Sequence, residues 1–188
     1  MKKILFQGDS ITDAQRLRED PTHLGSGYAL IVAGKLGYDH PGEYCFINRG
    51  VSGNKSVDVA ARIKEDIIDV VPDVMSLLVG VNDVWHGIEY NWWATCDDLV
   101  KSLDGIITKT REALPDVKIM LLEPYILHEC ATASTDEKPD KWETFVKEVG
   151  ARQKITRAAA EKYSLPFIPL QSIFDDAVKT AGVKPFSG

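Results

Sequence analysis

Cysteine is scarce in this chain and carries no pattern. Cys45, Cys96 and Cys130 are odd in number and widely spaced, and no C-x-x-C occurs. That argues against a disulfide framework and against a structural zinc site. Long apolar runs are missing as well. The opening MKKILFQGD has a basic start but only the short run Ile4-Leu5-Phe6, which is too brief for a signal peptide. No segment approaches the length of a membrane span. Positive charge is in deficit, with Lys and Arg totalling 22 against 28 Asp and Glu, for a net charge of -6. Such a balance argues against a nucleic-acid partner held through phosphate contacts, which need clustered Lys and Arg, although it leaves room for a local basic pocket. The expectation is a cytoplasmic protein with reduced thiols, no membrane partner and no cofactor or metal; self-association is left open.

What is present is an alternating pattern. The 188 residues suit one domain, 1–188, and with 44% hydrophobic residues the chain can bury a sizeable core. Short apolar runs at 2–7, 43–48, 73–80, 117–124 and 165–170 read as strands. Between them lie helical periodicities. Residues 28–38 form a helix candidate that breaks near Gly37. Ser56 caps a helix in which Val57, Ala60, Ile63, Ile67 and Val71 recur every three or four residues up to Pro72. Leu99, Leu103, Ile106 and Leu114 mark the next helix, and a long one covers 141–163 with Trp142, Phe145, Val149 and Ala159 inward. A last short helix starts near Gln171, and 131–140 reads as a surface loop. Buried Val, Ile and Leu runs joined by amphipathic helices predict a three-layer α/β/α sandwich, with a doubly wound five-stranded parallel sheet.

In such sheets ligands bind beyond the carboxyl ends of the strands. Those ends carry Gly8-Asp9-Ser10 after the first strand and NRGVSGN (48–54) after the second. GVNDVWHG (80–87) follows the third and EPYILHE (123–129) the fourth. A serine hydroxyl needs a base to become a nucleophile, and acyl transfer needs donors for the developing oxyanion. Ser10, the backbone at Gly53 and the amide of Asn82 come from three separate strand ends and fit those jobs. Each also has a plain reading: Gly-Asp-Ser as a turn or helix cap, Gly50 and Gly53 as turn glycines, Asn82-Asp83 as an Asx turn opening a helix. Asp9, Trp85, His86 and Tyr125 are candidate substrate contacts on the same edge. Asp9, Asp13 and Asp83 also permit a metal-dependent phosphoesterase, though the sequence has neither a P-loop nor a D-x-D start.

These blocks resemble those of the SGNH hydrolases, the GDSL family of lipases and esterases, over roughly residues 3–175. GDSIT (8–12) matches the first block, NRGVSGN the second and GVND (80–83) the third. No G-x-S-x-G occurs, so the ordinary α/β-hydrolase elbow is not implied. The resemblance implies a flavodoxin-like fold of the SGNH type and a serine esterase. Ser10 would then attack an ester carbonyl to form an acyl-enzyme, with Ser10, Gly53 and Asn82 holding the oxyanion. The substrates implied range over acetylated sugars, short-chain esters, thioesters and lipids; the acidic chain without a lipid-anchoring stretch favours a small soluble ester, with an acetyl ester of a carbohydrate preferred. The family also places a D-x-x-H block after the fifth strand and a short helix, where this sequence reads KPFSG and ends. The favoured expectation is a chain cut short before that block. The alternatives are His86 or His128 as a substitute base, and a binding module on the same fold that turns over slowly or not at all.

Overall fold

A computed structural model describes residues 1–186, with the side chains of all of them except 130 and 186. The sheet contains β1 (Lys2–Gly8), β2 (Tyr44–Asn48), β3 (Val74–Leu78), β4 (Lys118–Leu122) and β5 (Phe167–Ile168), in the order β2-β1-β3-β4-β5. Every pair is parallel. This is the doubly wound arrangement the alternating pattern predicts. After β2 the chain crosses β1 to form β3, so a topological switch point, and with it a crevice, lies between the ends of β1 and β3.

The helices are α1 (Ser10–Asp13), α2 (Tyr28–Asp39), α3 (Ser56–Ala61), α4 (Val81–Tyr90), α5 (Cys96–Ala113), α6 (Lys141–Tyr163) and α7 (Leu170–Ala181). One face of the sheet is deeply covered. Leu5, Met75, Leu77, Ile119 and Leu121 pack there against Val59, Ile67, Leu99, Leu103, Ile106 and Ala160 from the α3, α5 and α6 side. Each fully buried aliphatic side chain of this kind contributes about 1.5–3 kcal/mol. The opposite face is thinner: Ile4 and Phe6 pack against Leu24, Ala29 and Ala33 of α2 and the segment before it. Among the described residues no helix is long and apolar enough to cross a membrane.

Several expected boundaries move. The periodic segment 56–72 is not one helix: α3 ends at Ala61 and a π-type turn follows over Lys64–Ile68. The wider turn still buries Ile63, Ile67 and Val70 in the core. Ser56 is not its cap. Lys55 holds that position, and the Ser56 N–H instead reaches the buried Asp83. Helix α2 runs through Gly37 to Asp39, since a single glycine weakens a helix but does not end it. Strand β5 shrinks to two residues at the sheet edge. Helices α1 and α4 occupy stretches read as loop, and they carry Ser10 and Asn82.

Candidate active site

Strand β1 ends at Gly8, where a side chain has no room. A Cβ there would lie 2.4 Å from both the Leu78 carbonyl and the Thr12 hydroxyl, so glycine lets β1 close onto β3 and turn at once. Asp9 then caps α1. Its Oδ1 accepts the Ile11 N–H at 3.0 Å, and its carbonyl accepts the Asp13 N–H at 2.8 Å. This tight turn leaves Ser10 exposed at the first position of α1. Neither the Ser10 hydroxyl nor its N–H has a hydrogen-bond partner among the described residues. Ser10 borders an open cleft of about 670 Å³, walled by Tyr28, Leu122, Tyr125, Phe174 and Pro185. Tyr125 stacks on Phe174 with ring centres 4.3 Å apart. Burial pushes the Tyr125 hydroxyl up to about 12, so at neutral pH it stays a neutral donor.

The loop after β2 is tied to this turn from several directions. The Arg49 N–H reaches the Phe6 carbonyl at 2.8 Å, and the Val51 N–H reaches that of Gly8 at 3.1 Å. Buried Asn48 donates to the Thr12 carbonyl at 2.6 Å and to that of Leu24 at 2.8 Å, while its Oδ1 accepts the Gly50 N–H at 2.8 Å. Asp13 accepts the Ser52 N–H at 2.9 Å and the Arg18 guanidinium at 3.3 Å. Although its own burial acts the other way, the donors around Asp13 hold its carboxyl below the ordinary value. The loop therefore runs in contact with α1. Within it, Gly53 has φ of +82°, a left-handed conformation that favours glycine, and its N–H has no acceptor among the described residues.

The third block opens α4. Asn82 is 7% exposed, and its amide donates to the Asn54 carbonyl at 3.1 Å, leaving its second N–H free of any partner among the described residues. Next to it, wholly buried Asp83 accepts the Ser56 N–H at 2.7 Å. The 53–56 segment and the start of α4 are thus stitched together by two adjacent side chains. Burial pushes Asp83 up to about 6, against the Ser56 hydrogen bonds. Burial likewise pushes Asp9 up to about 7, with the charge of Asp83 adding to the shift. One oxygen of each carboxylate lacks a partner among the described residues, so protonation of either group relieves an uncompensated buried charge.

An exposed serine at a switch point, on a helix tied to a glycine-bearing loop, is a geometry able to perform acyl transfer. A family model described as GDSL-like lipase/acylhydrolase matches residues 6–183. The chain belongs to the GDSL-like lipase/acylhydrolase family. In keeping with that membership, an acetylxylan esterase of Geobacillus stearothermophilus is 30% identical over 189 residues, covering 95% of this chain and 80% of that one. A protein of Parabacteroides merdae classed as a GDSL-like lipase superposes with a TM-score of 0.90 at 34% identity, covering 99% of this chain and 85% of that one. The crystal structure of the Geobacillus acetylxylan esterase superposes with a TM-score of 0.77 at 28% identity, covering 95% and 80%. This GDSL-family chain is a carboxylic ester hydrolase.

In this GDSL-family hydrolase the expected site residues divide into three groups. Ser10 and Tyr125 share the cleft. Gly53, on the loop after β2, and Asn82, at the start of α4, are joined through Asn54, and the His86 ring is the nearest side chain to Gly53, 3.8 Å from where a Cβ would stand. Asp9 and Trp85 need correction. Asp9 has no exposed surface and its carboxylate caps α1, so it supports the turn and does not reach a substrate. Trp85 packs on Phe145 at 5.6 Å beneath the Lys141 ammonium, between α4 and α6 and away from the Ser10 cleft. Neither His86 nor His128 bonds to Ser10. His86 meets Tyr90 edge-on, and His128 meets Trp142 edge-on at 4.5 Å beside a separate cavity. Asp13 does not gather with other carboxylates, and the described residues include no group of three metal-ligating side chains. Sequence reading passed over Asn48, Gly50 and Asp13 as supports of the site. Their one visible signal was the density of polar and glycine residues at two successive strand ends.

Proposed function

We propose that Ser10 is the nucleophile of an esterase that removes small acyl groups, acetyl above all, from carbohydrate esters. The observation that carries this reading is the exposed, unpartnered Ser10 hydroxyl at the β1/β3 switch point, on a helix tied directly to the loop bearing Gly53. The Ser10 oxygen attacks the ester carbonyl while its proton passes to a general base. The carbonyl oxygen gains the negative charge, which the Ser10 and Gly53 N–H groups and the Asn82 amide stabilise. Collapse of that intermediate expels the sugar hydroxyl with a proton and leaves an acyl-serine. Water then attacks the acyl carbon, releasing acetic acid and restoring Ser10.

The acetyl preference draws support from the acetylxylan esterase likeness. Structures of that relative include forms described as catalytic mutants in which a serine or an aspartate is replaced by alanine. It draws further support from the cleft wall, where the flat faces of Tyr28, Tyr125 and Phe174 suit the apolar face of a sugar ring. The test is hydrolysis by the full gene product of acetylated xylooligosaccharide, 4-nitrophenyl acetate and a long-chain 4-nitrophenyl ester. Both acetyl esters should be cleaved faster than the long-chain ester, and Ser10→Ala should abolish turnover. Equal rates for Ser10→Ala and the native protein would overturn the assignment.

A further inference from the structure

In a chain of net charge -6, four arginines crowd one loop. Arg16 donates from Nε to the Gly50 carbonyl at 2.8 Å, and Arg62 donates to the Asn54 side-chain oxygen at 2.7 Å. Arg18 binds Asp13, which also holds the Ser52 N–H, and Arg49 sits at the root of the same loop with its backbone N–H on Phe6. Arg16 lies within electrostatic reach of Arg49 and Arg18, and Arg62 within reach of Arg16 and Arg18. Arg18 and Arg62 have partners, in Asp13 and Asp66. Arg16 and Arg49 have none: no carboxylate among the described residues comes within ion-pair distance of either, although Asp13 and Glu19 act on Arg16 from further off. Arg49 Nε is buried without any hydrogen-bond partner. Burial and the neighbouring cations together hold the Arg16 guanidinium below its ordinary value.

Two half-buried guanidiniums held together without an ion-pair partner are unfavourable in the free protein, and an oxoanion lowers that cost through paired N–H···O contacts. We propose that Arg16 and Arg49, backed by Arg18 and Arg62, form an oxoanion subsite that takes a carboxylate or phosphate carried by the ester substrate. Its placement fits that role. The loop it grips carries Gly53, and Asp13 links that loop to the helix of Ser10. The preferred substrate is accordingly an acylated acidic sugar, whose charged group sits on the arginines while its ester lies against Ser10. The substrate half of this proposal rests on the Ser10 esterase reading; the anion site itself does not.

Calorimetric titration of the full gene product with glucuronate, glucose 6-phosphate and glucose tests the site directly. Saturable binding of an anionic sugar and none of glucose is expected, and the tighter anion identifies the preferred group. Arg49→Gln should weaken that binding about tenfold, and Arg49→Lys, which keeps the charge but not the fork, by less. Lys147→Gln removes the same charge from a largely exposed position on α6, beside Glu148, and should leave binding unchanged. In kinetics, kcat/KM for acetylated glucuronate should exceed that for acetylated glucose about tenfold in the native protein, and the preference should vanish in Arg49→Gln. If Arg49→Gln does not fold, the native titration and the Arg49→Lys variant still decide. Absence of saturable anion binding, equal weakening by Arg49→Gln and Lys147→Gln, or equal kcat/KM for the two acetylated sugars would each overturn the proposal. Firm anion binding with no ester hydrolysed at all would instead count against the Ser10 reading.

Discussion

The two sides of the Ser10 cleft are built differently. Below and beside the serine lies a polar knot: Asp9, Asp13, Asn48 and Asp83 are all buried, and each bonds to the backbone of the segments that follow β1 and β2. Across from it stand α2 and α7, whose cleft-lining side chains Tyr28, Ile31, Leu170 and Phe174 are mostly apolar and none fully buried. Ile31 is 71% exposed, and no residue of α7 is buried. A transition state rewards donors fixed before the reaction, and buried polar groups are costly unless fully bonded. The knot therefore carries the geometry of catalysis, while the open wall is free to vary with substrate. Changes in the knot should cut kcat or stability, whereas changes in the wall should move KM.

Short of removing Ser10 itself, the largest effect is expected at Asn82. Asn82→Ala should lower kcat by about 10²–10³ with little change in KM, as read from steady-state hydrolysis of 4-nitrophenyl acetate. A proportionate rise in KM at constant kcat would place the amide in ground-state binding instead. Gly50→Ala comes next. The new Cβ would lie 2.3 Å from the Asp13 nitrogen and 2.7 Å from the Thr12 carbonyl carbon, so α1 must shift, at a cost of about 3 kcal/mol by urea unfolding.

Asp9 gives a pH signature of the same knot. Its folded-state value of about 7 lies above the ordinary 3.8, so the folded protein binds a proton that the unfolded chain has released. Stability from this group is complete below about pH 4 and is lost as pH rises to about 7. In unfolding curves, Asp9→Asn should flatten that decline by about 4 kcal/mol over the window. An unchanged slope would remove the buried charge from the account. The smallest effect is expected on the wall. Phe174→Leu, which removes the stacking partner of Tyr125, should raise KM about threefold with a lesser effect on kcat.

The same contrast explains what the sequence disclosed. Strand β1 and helix α6 were legible because their apolar spacing is strong and is decided locally; α6 occupies 141–163 as read. Helix α4 was not, since VNDVWHGIEY mixes Asn, Asp, Gly and His, and it is held by burial of Val84 and by packing on α6. Helix α1 is one turn, fixed by the Asp9 cap rather than by periodicity. At the site, Ser10, Gly53 and Asn82 stood out because each sits within a few residues of a strand end. The bonds that arrange them join residues far apart in sequence, such as Asn48 to Thr12 and Asp83 to Ser56. No local pattern reveals such pairings, and none reveals that Asp9, beside an exposed serine, is itself wholly buried.

The central claim is that Ser10 is the nucleophile, and covalent labelling tests it most directly. The full gene product should react with a fluorophosphonate probe at a single residue, and peptide mass spectrometry should place the adduct on Ser10. Ser10→Ala should not be labelled. An adduct on another residue, or equal labelling of native protein and Ser10→Ala, would contradict the account.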